Sequence, residues 1–136
     1  SEHRFMATLH HDHQRARTRI YLKGAPERVL DLCATDADVR PLDRAAWEAR
    51  IAAAAQDGMR VLALAARDEP PGTSAIALDA LHGGFRLLGL AGMIDPPRDE
   101  AIAAVARCRA GGVRVKMITG DHAVTAAAIG AQLGLR

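Results

Sequence analysis

Two stretches near the start of the chain alternate between apolar and polar residues, with the period of two that is typical of β-strands. They span residues 4–10 and 17–22, and the polar segment between them, residues 11–14, fits the tip of a hairpin. In the first stretch the alternation places Arg4 and Met6 on the same face. The sequence therefore predicts an antiparallel hairpin that presents these two side chains together.

Two helices are predicted after the hairpin. Pro26 suits the first turn of a helix, where a missing N–H costs nothing, and Glu27 in the same turn interacts favourably with the helix dipole. The second helix is predicted over residues 41–55, with Asp43 as its N-cap and apolar residues recurring every four positions.

Two apolar segments complete the first lobe. Residues 61–66 and 85–94 have the composition of buried strands, and residues 68–84 between them form a loop rich in Pro, Gly, Ser and Asp. Together with the hairpin and the two helices, these strands predict an α+β lobe built on an antiparallel sheet with flanking helices.

The pattern changes after residue 94. Two consecutive prolines within residues 95–98 predict a stiff, extended connector. A helix over residues 99–110, a strand over residues 113–118 and a helix over residues 122–133 follow, in the order typical of a parallel, doubly wound sheet. The chain is therefore predicted to hold one lobe and the opening of a second.

Composition excludes several classes of function. Hydrophobic residues make up 49% of the chain but aromatic residues only 3%, so aliphatic side chains and alanine must supply most of the core. The net charge of +2, with scattered Lys and Arg, argues against nucleic-acid binding.

Cys33 and Cys108 are predicted to be reduced core thiols in the cytosol. The apolar runs are far shorter than the ~20 residues of a membrane helix, so a soluble segment is predicted, and its start at Ser1 suggests a piece of a longer protein.

Three positions could bind an anionic ligand, and each also has a purely structural interpretation. Lys23 ends a strand and precedes Gly24, which would let a ligand approach the backbone, but a lysine before a turn is also common on surfaces. Arg60 precedes a buried strand in the same way. Residues 119–121 join a strand to a helix, where doubly wound sheets bind ligands; Asp121 could hold Mg²⁺ or cap the helix.

Other kinds of catalytic or metal site find little support. The histidines within residues 10–13 suggest a metal site, but a hairpin tip offers no fixed geometry, and no metal site is predicted. The serines are Ser1 and Ser74, and neither cysteine has an evident histidine partner, so no catalytic residue is assigned. The phosphate-binding patterns GxxxxGK[ST] and GxGxxG do not occur.

Five short motifs follow one another along nearly the whole chain. They are Ser-Glu-His-Arg-Phe-Met-Ala-Thr at 1–8, Lys-Gly-Ala-Pro-Glu at 23–27, Gly-Met-Arg-Val-Leu-Ala-Leu-Ala at 58–65, Asp-Pro-Pro-Arg at 95–98 and Met-Ile-Thr-Gly-Asp-His at 117–122. In this order and spacing they resemble the cytoplasmic ATP-handling region of P-type cation-transporting ATPases. The subgroup they resemble contains the calcium pumps and their bacterial relatives.

The resemblance implies a site and a division into parts. Lys23 would lie in the adenosine pocket, Arg60 would reach the phosphates or ribose, and Arg4 and Met6 would line the same pocket. The full set implied to bind nucleotide is Arg4, Met6, Lys23, Gly24, Arg60, Thr119, Gly120 and Asp121. The implied parts are the C-terminal portion of a nucleotide-binding domain (1–94), a hinge (Asp95, Pro96, Pro97 and Arg98) and a partial, haloacid-dehalogenase-like phosphorylation domain (99–136).

The resemblance also implies the activity of a parent protein. That parent would be an integral protein of a bacterial plasma membrane that couples ATP hydrolysis, through an aspartyl-phosphate, to cation transport, with this segment on the cytoplasmic side. Its cofactors would be ATP and Mg²⁺, and its partners ATP and the missing phosphorylation, actuator and transmembrane parts. The family's DKTGT loop, which carries the phosphorylated aspartate, and its TGDGxNDxP stretch, which holds Mg²⁺, are absent from the sequence. The segment alone is therefore not expected to hydrolyse ATP.

Two other functions remain open at this point. One is a non-catalytic module that binds adenine nucleotide or a partner protein. The other is a phosphatase of the haloacid-dehalogenase-like class, which would need a nucleophilic aspartate at the end of the first strand of a doubly wound sheet. No such strand is found in the sequence.

Overall fold

The structure, a computed structural model, describes residues 4–77, 81–120 and 123–135. In chain order its elements are β1 (Phe5–Asp12), β2 (Arg17–Gly24), α1 (Pro26–Leu32), β3 (Cys33–Thr35), α2 (Arg44–Gln56), β4 (Arg60–Glu69), β5 (Phe85–Met93), α3 (Asp99–Ala110) and α4 (Ala123–Gln132).

The strands of the described residues form one five-stranded sheet in the order β1-β2-β4-β5-β3. The pairs β1–β2 and β2–β4 are antiparallel, whereas β3 runs parallel to β5. The predicted α+β lobe is confirmed, but the prediction of an antiparallel sheet is wrong because the sheet is mixed. The sequence does not reveal β3, since a strand of three residues directly after a helix is too short to show alternation.

The β1–β2 hairpin follows the predicted alternation, and both strands extend two residues further than predicted. In β2 the side chains of Ile20 and Leu22 are only 2% and 1% exposed, while Tyr21 between them faces away from the core. At the turn, the Asp12 carboxylate accepts hydrogen bonds from the backbone N–H groups of Gln14 and Arg15, both at 3.1 Å. Local hydrogen bonds of this kind favour a turn and fix where the hairpin reverses.

The first of two compact units comprises the residues up to 49 and residues 61–91, and its core is mostly aliphatic, as predicted. Its largest fully buried side chains are those of Phe85, Leu22, Leu30, Leu87 and Val29. Two of these come from α1, which begins with Pro26 in its first turn, as the sequence predicts. Because burying one aliphatic side chain contributes about 1.5–3 kcal/mol, the inner face of the sheet is strongly specified.

The helices of the described residues are short, with 7 residues in α1 and 13 in α2. The predicted N-cap of α2 is confirmed, because the Asp43 carboxylate accepts the backbone N–H of Ala46 at 3.1 Å. Along α2, Trp47 and Ile51 are half-buried. Among the residues that the structure describes, no helix is both long enough and apolar enough to span a bilayer.

The second compact unit comprises residues 50–60 and the residues from 92 onwards. The predicted helices α3 and α4 are both present. Within this unit α4 packs against the end of the 50–60 segment, where the buried Thr125 hydroxyl donates a hydrogen bond to the Met59 carbonyl at 3.4 Å.

Residues 113–118 do not form the predicted strand. None of the five strands found in the described ranges pairs with this segment, and the side chain of Ile118 is 98% exposed. A parallel strand is stable only with hydrogen-bonded neighbours and cover on both faces, and apolar composition does not replace them. The doubly wound arrangement of residues 99–136 therefore stays a prediction.

The two cysteines differ in their surroundings. Cys33 is half-buried in β3, and burial raises the pKa of its thiol to about 11, because the thiolate is disfavoured away from water. Cys108 is exposed on α3, so its prediction as a core residue is wrong. Its neighbours in sequence, residues 106–110, are exposed as well.

Replacing Gly24 by alanine tests the packing at the open end of the hairpin. A Cβ at Gly24 would lie 2.5 Å from the Phe5 Cα and Cβ atoms and 2.6 Å from the Arg4 carbonyl oxygen. Because these are partly backbone atoms, Gly24→Ala should lower the free energy of unfolding by about 1–3 kcal/mol in urea denaturation. The control Gly111→Ala, whose Cβ would make ordinary contacts at 3.5 Å, should change it little. Equal stability of the two variants would contradict the observed strand register.

Candidate functional site

The candidate site lies on the face of the sheet that points away from the core. Directly opposed residues of an antiparallel pair share a face, so neighbouring strands build rows of side chains across it. In one row Met6 of β1 is opposed to Lys23 of β2, which is opposed in turn to Leu64 of β4. In the next row Thr8 is opposed to Tyr21.

A cleft of about 190 Å³ lies over these rows. It is lined by Met6, Thr8, Tyr21, Leu22, Lys23, Leu64, Ala65 and Leu88. An apolar lining with a few placed polar groups is typical of sites for small molecules. The cleft is smaller than the ~300–1,000 Å³ of pockets that enclose a whole drug-sized ligand, so it fits part of a ligand, such as a ring system.

Two residues predicted from the sequence, Met6 and Lys23, meet in this cleft. Several arginines of the chain have carboxylate partners; Arg19, for example, binds Asp68 at 2.6 Å. Lys23, in contrast, has no ion pair with any residue in the described ranges. The Lys23 side chain is exposed at the cleft. Since no described residue forms an ion pair with its ammonium, the ammonium can bind an anionic ligand or a hydrogen-bond acceptor.

Contrary to the prediction from the sequence, Arg4 and Met6 do not share a face of β1 by strand alternation. It precedes β1 and has a φ of 54°, so the period of two does not extend to it. Its guanidinium binds the Glu27 carboxylate at 2.8 Å, and its carbonyl accepts the backbone N–H of Ala25 at 2.9 Å. A nucleotide-binding role of Arg4 stays a prediction, and it would compete with the ion pair to Glu27.

Gly24 is required by the neighbouring strand. The space that a side chain would fill is occupied by Phe5, which is paired with Gly24 in the hairpin, and by the Arg4 carbonyl. Gly24 therefore allows strand β1 to come close to the backbone of β2, whereas the sequence predicted that it would allow a ligand to do so. Binding of a ligand at Gly24 stays a prediction.

The other predicted site residues belong to the second unit or lie outside the described residues. Arg60 begins β4 with an exposed side chain, and Thr119 and Gly120 are also exposed. Asp121 lies outside the described residues, so nothing is added to its predicted role. Residues 95–98 lie between β5 and α3 without helix or strand, as expected of a connector, and their role as a hinge stays a prediction.

Sequence reasoning missed several residues that line the cleft. Thr8 and Tyr21 carry a readable signal, because each lies two positions from a predicted residue on the same strand and therefore shares its face. Leu64 and Leu88 carry no such signal. Their place in the cleft depends on the pairing of β2 with β4 and of β4 with β5, which alternation within one strand does not determine.

Beyond the cleft the same face carries a charged cluster. Arg19 and Asp68 are opposed on β2 and β4, with 2.6 Å between Arg19 Nε and Asp68 Oδ1. The hydrogen bond from Arg19 holds the pKa of Asp68 below its usual value, and the positive charges of Arg17 and Arg86 lower it further. The pKa of Arg19 is raised in turn, through its hydrogen bonds to Asp68 and then to Tyr21. The arginines at this end of the face are thus partly neutralised by Asp68.

The histidines of the hairpin make contacts of their own. His10 Nε2 lies 3.0 Å from the Thr8 hydroxyl oxygen, and His11 Nδ1 lies 3.2 Å from that of Thr18. In the described ranges, no three side chains of His, Cys, Asp or Glu come together as a metal-binding group. These residues therefore offer no ligand set for Mg²⁺, and no chemical step is assigned to a metal. The apolar cleft with Lys23 at its edge could instead hold a ring system that carries a hydrogen-bond acceptor.

Comparison with known proteins identifies the chain's relatives. The family profile described as "P-type ATPase, cytoplasmic domain N" matches residues 1–100. The chain is 43% identical over 140 residues to the "Probable cation-transporting ATPase F" of Mycobacterium tuberculosis, covering 99% of this chain and 15% of that protein. It is 44% identical over 139 residues to a cation-transporting ATPase of Synechocystis, with the same coverage.

A more distant relative comes from a yeast. The chain is 37% identical over 139 residues to a sodium/potassium exporting P-type ATPase of Schizosaccharomyces pombe, covering 99% of this chain and 13% of that protein. The chain thus spans 13–15% of the length of these relatives.

The ion pair between Arg19 and Asp68 predicts how acid affects stability. Since the pKa of Asp68 is lower in the folded chain than the ~3.9 of an unfolded aspartate, its stabilisation is present above that pH. It is lost as the pH falls through the folded-state value. Asp68→Asn should lower the free energy of unfolding at pH 7 by about 0.5–1 kcal/mol, a value typical of exposed pairs, and should weaken the further loss in acid.

Urea denaturation at pH 7 and at pH 3 measures this difference. Asp57→Asn, which removes an exposed carboxylate at the end of α2, serves as the control and should leave the loss in acid unchanged. An acid dependence in Asp68→Asn identical to that of the wild type would show that the pair does not contribute.

Proposed function

Because the chain belongs to the P-type ATPase family and matches its cytoplasmic N domain, we propose that it is the ATP-binding module of a cation pump. The parent protein would couple ATP hydrolysis, through an aspartyl-phosphate intermediate, to the transport of a cation across a membrane. The names of the relatives support this, since they are cation-transporting or sodium/potassium exporting ATPases. The calcium-pump subgroup is proposed on the resemblance of the motifs alone.

The observation that carries the proposal is the meeting of Met6 and Lys23 in one apolar cleft. These two residues belong to separate motifs of the sequence, and the antiparallel pairing of β1 with β2 sets them side by side. The apolar side chains would contact the base, while the ammonium of Lys23 would donate hydrogen bonds to acceptor atoms of the nucleotide. A charged donor makes the stronger kind of hydrogen bond, so among the residues that line the cleft Lys23 would contribute most of the polar binding energy.

The remaining site is proposed from the motifs. Arg4 and Arg60 would contact the ribose or phosphates, with Gly24 beside Lys23. The segment Thr119-Gly120-Asp121 would face the phosphate end, and residues 95–98 would act as the hinge between residues 1–94 and residues 99–136. In the complete enzyme Mg²⁺ would accompany the phosphates, held by groups outside the described residues.

Such a module would contribute binding and positioning rather than acid–base chemistry. Phosphoryl transfer depends mainly on alignment of the reacting groups and on electrostatic stabilisation of the charge that moves. The described residues that line the cleft include no carboxylate and no histidine, which supports a role in holding ATP. The nucleophile would be supplied by the aspartate of the parent's phosphorylation domain.

Replacing Lys23 by alanine tests the proposed ATP site. In an NMR titration of the labelled chain, ATP should shift the amide signals of Met6 and Lys23 together. Lys23→Ala should weaken ATP binding by about tenfold or more, since a hydrogen bond from a charged group contributes about 1.5–3 kcal/mol. Lys116→Ala removes the chain's other lysine, which lies in the second unit, and should bind ATP as the wild type does.

The opposite pattern would refute the site. Loss of ATP binding in Lys116→Ala but not in Lys23→Ala would place the nucleotide elsewhere. Absence of any shift in the wild-type chain at several millimolar ATP would contradict the binding function itself.

The chain alone should not release phosphate from ATP. The sequence lacks the DKTGT loop, so no nucleophile is available to form the phospho-enzyme. An assay of phosphate release with the purified chain, ATP and Mg²⁺ should give no signal above buffer. Turnover that disappears in Asp121→Ala would overturn this expectation and assign chemistry to the chain itself.

A further inference from the structure

The backbone immediately before Arg60 is bound from two sides. The Met59 N–H donates a hydrogen bond to the Ala54 carbonyl of α2 at 3.0 Å. The Met59 carbonyl accepts a hydrogen bond from the Thr125 hydroxyl of α4 at 3.4 Å. Both backbone polar groups of Met59 therefore have partners, and the peptide bond that joins Met59 to Arg60 is restrained in its orientation.

The segment that precedes Arg60 is also closely packed. A Cβ at Gly58 would lie 3.6 Å from Ala128 Cβ and from Gln132 Nε2, so the backbone of Gly58 lies against α4. The Met59 sulfur lies 2.9 Å from the position that a Cβ of Gly92 would take. All of these residues belong to the second compact unit. A segment with packing of this kind and with bound backbone groups opens less readily than an exposed loop.

Thr125 is the side chain through which α4 holds this segment by a hydrogen bond. It is only 5% exposed, and a buried hydroxyl needs a hydrogen-bond partner. The residue that accepts its hydrogen bond lies 66 positions earlier in the chain. The bond therefore links α4, which follows the motif at residues 117–122, to the residue beside Arg60.

We propose that Thr125 is a positioning residue, which holds the Met59 carbonyl and thereby directs Arg60 towards the phosphates of a nucleoside triphosphate. This inference rests on the proposed function, in which Arg60 contacts the nucleotide, and adds the residue that orients it. Arginine has a long side chain, so a backbone that is already fixed lowers the entropy lost when the guanidinium binds. A guanidinium binds phosphate through its charge and its paired N–H donors. The effect of Thr125 should therefore appear in the affinity for phosphates.

A role of Thr125 in packing alone predicts a different result. Thr18 in the first unit is also buried, at 6% exposure, and its hydroxyl oxygen lies 3.2 Å from His11 Nδ1. Replacing either threonine by valine keeps the shape of the side chain and removes the hydroxyl, so both variants should be less stable than the wild type. Only Thr125→Val should also weaken the binding of phosphates. Thr18→Val is thus the matched control.

NMR titrations with tripolyphosphate and with adenosine measure the two affinities. Thr125→Val should weaken tripolyphosphate binding by about threefold to tenfold, which corresponds to the loss of one hydrogen bond. Its affinity for adenosine, which has no phosphate, should be unchanged. Thr125→Ser keeps the hydroxyl and should bind tripolyphosphate as the wild type does. Thr18→Val should also bind tripolyphosphate as the wild type does.

Arg60→Ala tests whether Thr125 acts through Arg60. This change should itself weaken tripolyphosphate binding, and adding Thr125→Val should then cause no further loss, because the two residues act as one unit. A further loss as large as that in the wild-type background would overturn the inference, since Thr125 would then act elsewhere. Unchanged tripolyphosphate affinity in Thr125→Val, with ATP still shifting Met6 and Lys23, would overturn it and leave the proposed ATP site intact.

A second pair of variants covers the case in which Thr125→Val does not fold. Thr125→Ser and Thr125→Ala differ by the hydroxyl alone, so the serine variant should bind tripolyphosphate more tightly. Equal affinities in this pair would refute the positioning role. Binding of ATP and adenosine by the wild-type chain without any binding of tripolyphosphate would refute this inference alone. Failure of the wild-type chain to bind ATP would refute the inference and the proposed function together.

Discussion

The antiparallel register between β1 and β2 is the constraint on which the candidate site depends. A slip of one residue would move every side chain of a strand to the opposite face, and Met6 would then leave Lys23 for the core side. Burial of Ile20 and Leu22 opposes such a slip from within the sheet. At the open end of the hairpin, the close contact of Phe5 with a glycine has the same effect. The alternation of side chains along these strands thus determines both which residues enter the core and which residues form the candidate site.

The two ends of the outer face of the sheet differ in whether their positive charges have carboxylate partners. Arg19 is committed to Asp68 at 2.6 Å, so its positive charge is largely balanced within the protein. Lys23 has no carboxylate partner in the described part of the chain and lies among apolar side chains. An anionic ligand would therefore gain more from Lys23 than from the arginine, because no internal ion pair has to be broken. Arg4 resembles Arg19 in this respect, because its ion pair with Glu27 would have to break before Arg4 could bind a ligand.

Elements with a strong local pattern were predicted from the sequence, whereas the short strand β3 and the pairing of strands that lie far apart in the chain were not. The hairpin, the first turn of α1 and the Asp43 cap each follow from neighbours in the sequence, and all are present. The predicted strand at residues 113–118 failed because apolar composition does not supply the neighbouring strands that a buried strand requires. Within the site, alternation placed Met6 correctly, whereas the role of Leu64 depends on a pairing of β2 with β4 that links distant parts of the chain.

The chemistry of the cleft limits what this face would contribute to the proposed ATP-driven reaction. Among the described lining residues, its polar side-chain groups are a hydroxyl from Thr8, a phenol from Tyr21 and the ammonium of Lys23, with no carboxylate and no imidazole. A surface of this kind accelerates a reaction only through the geometry in which it holds the reactant. Because the cleft is too small to enclose a nucleotide, a base bound there would leave the phosphates outside it and accessible to other groups. Holding one end of ATP while exposing the other is what a binding module needs when the nucleophile belongs to a different domain.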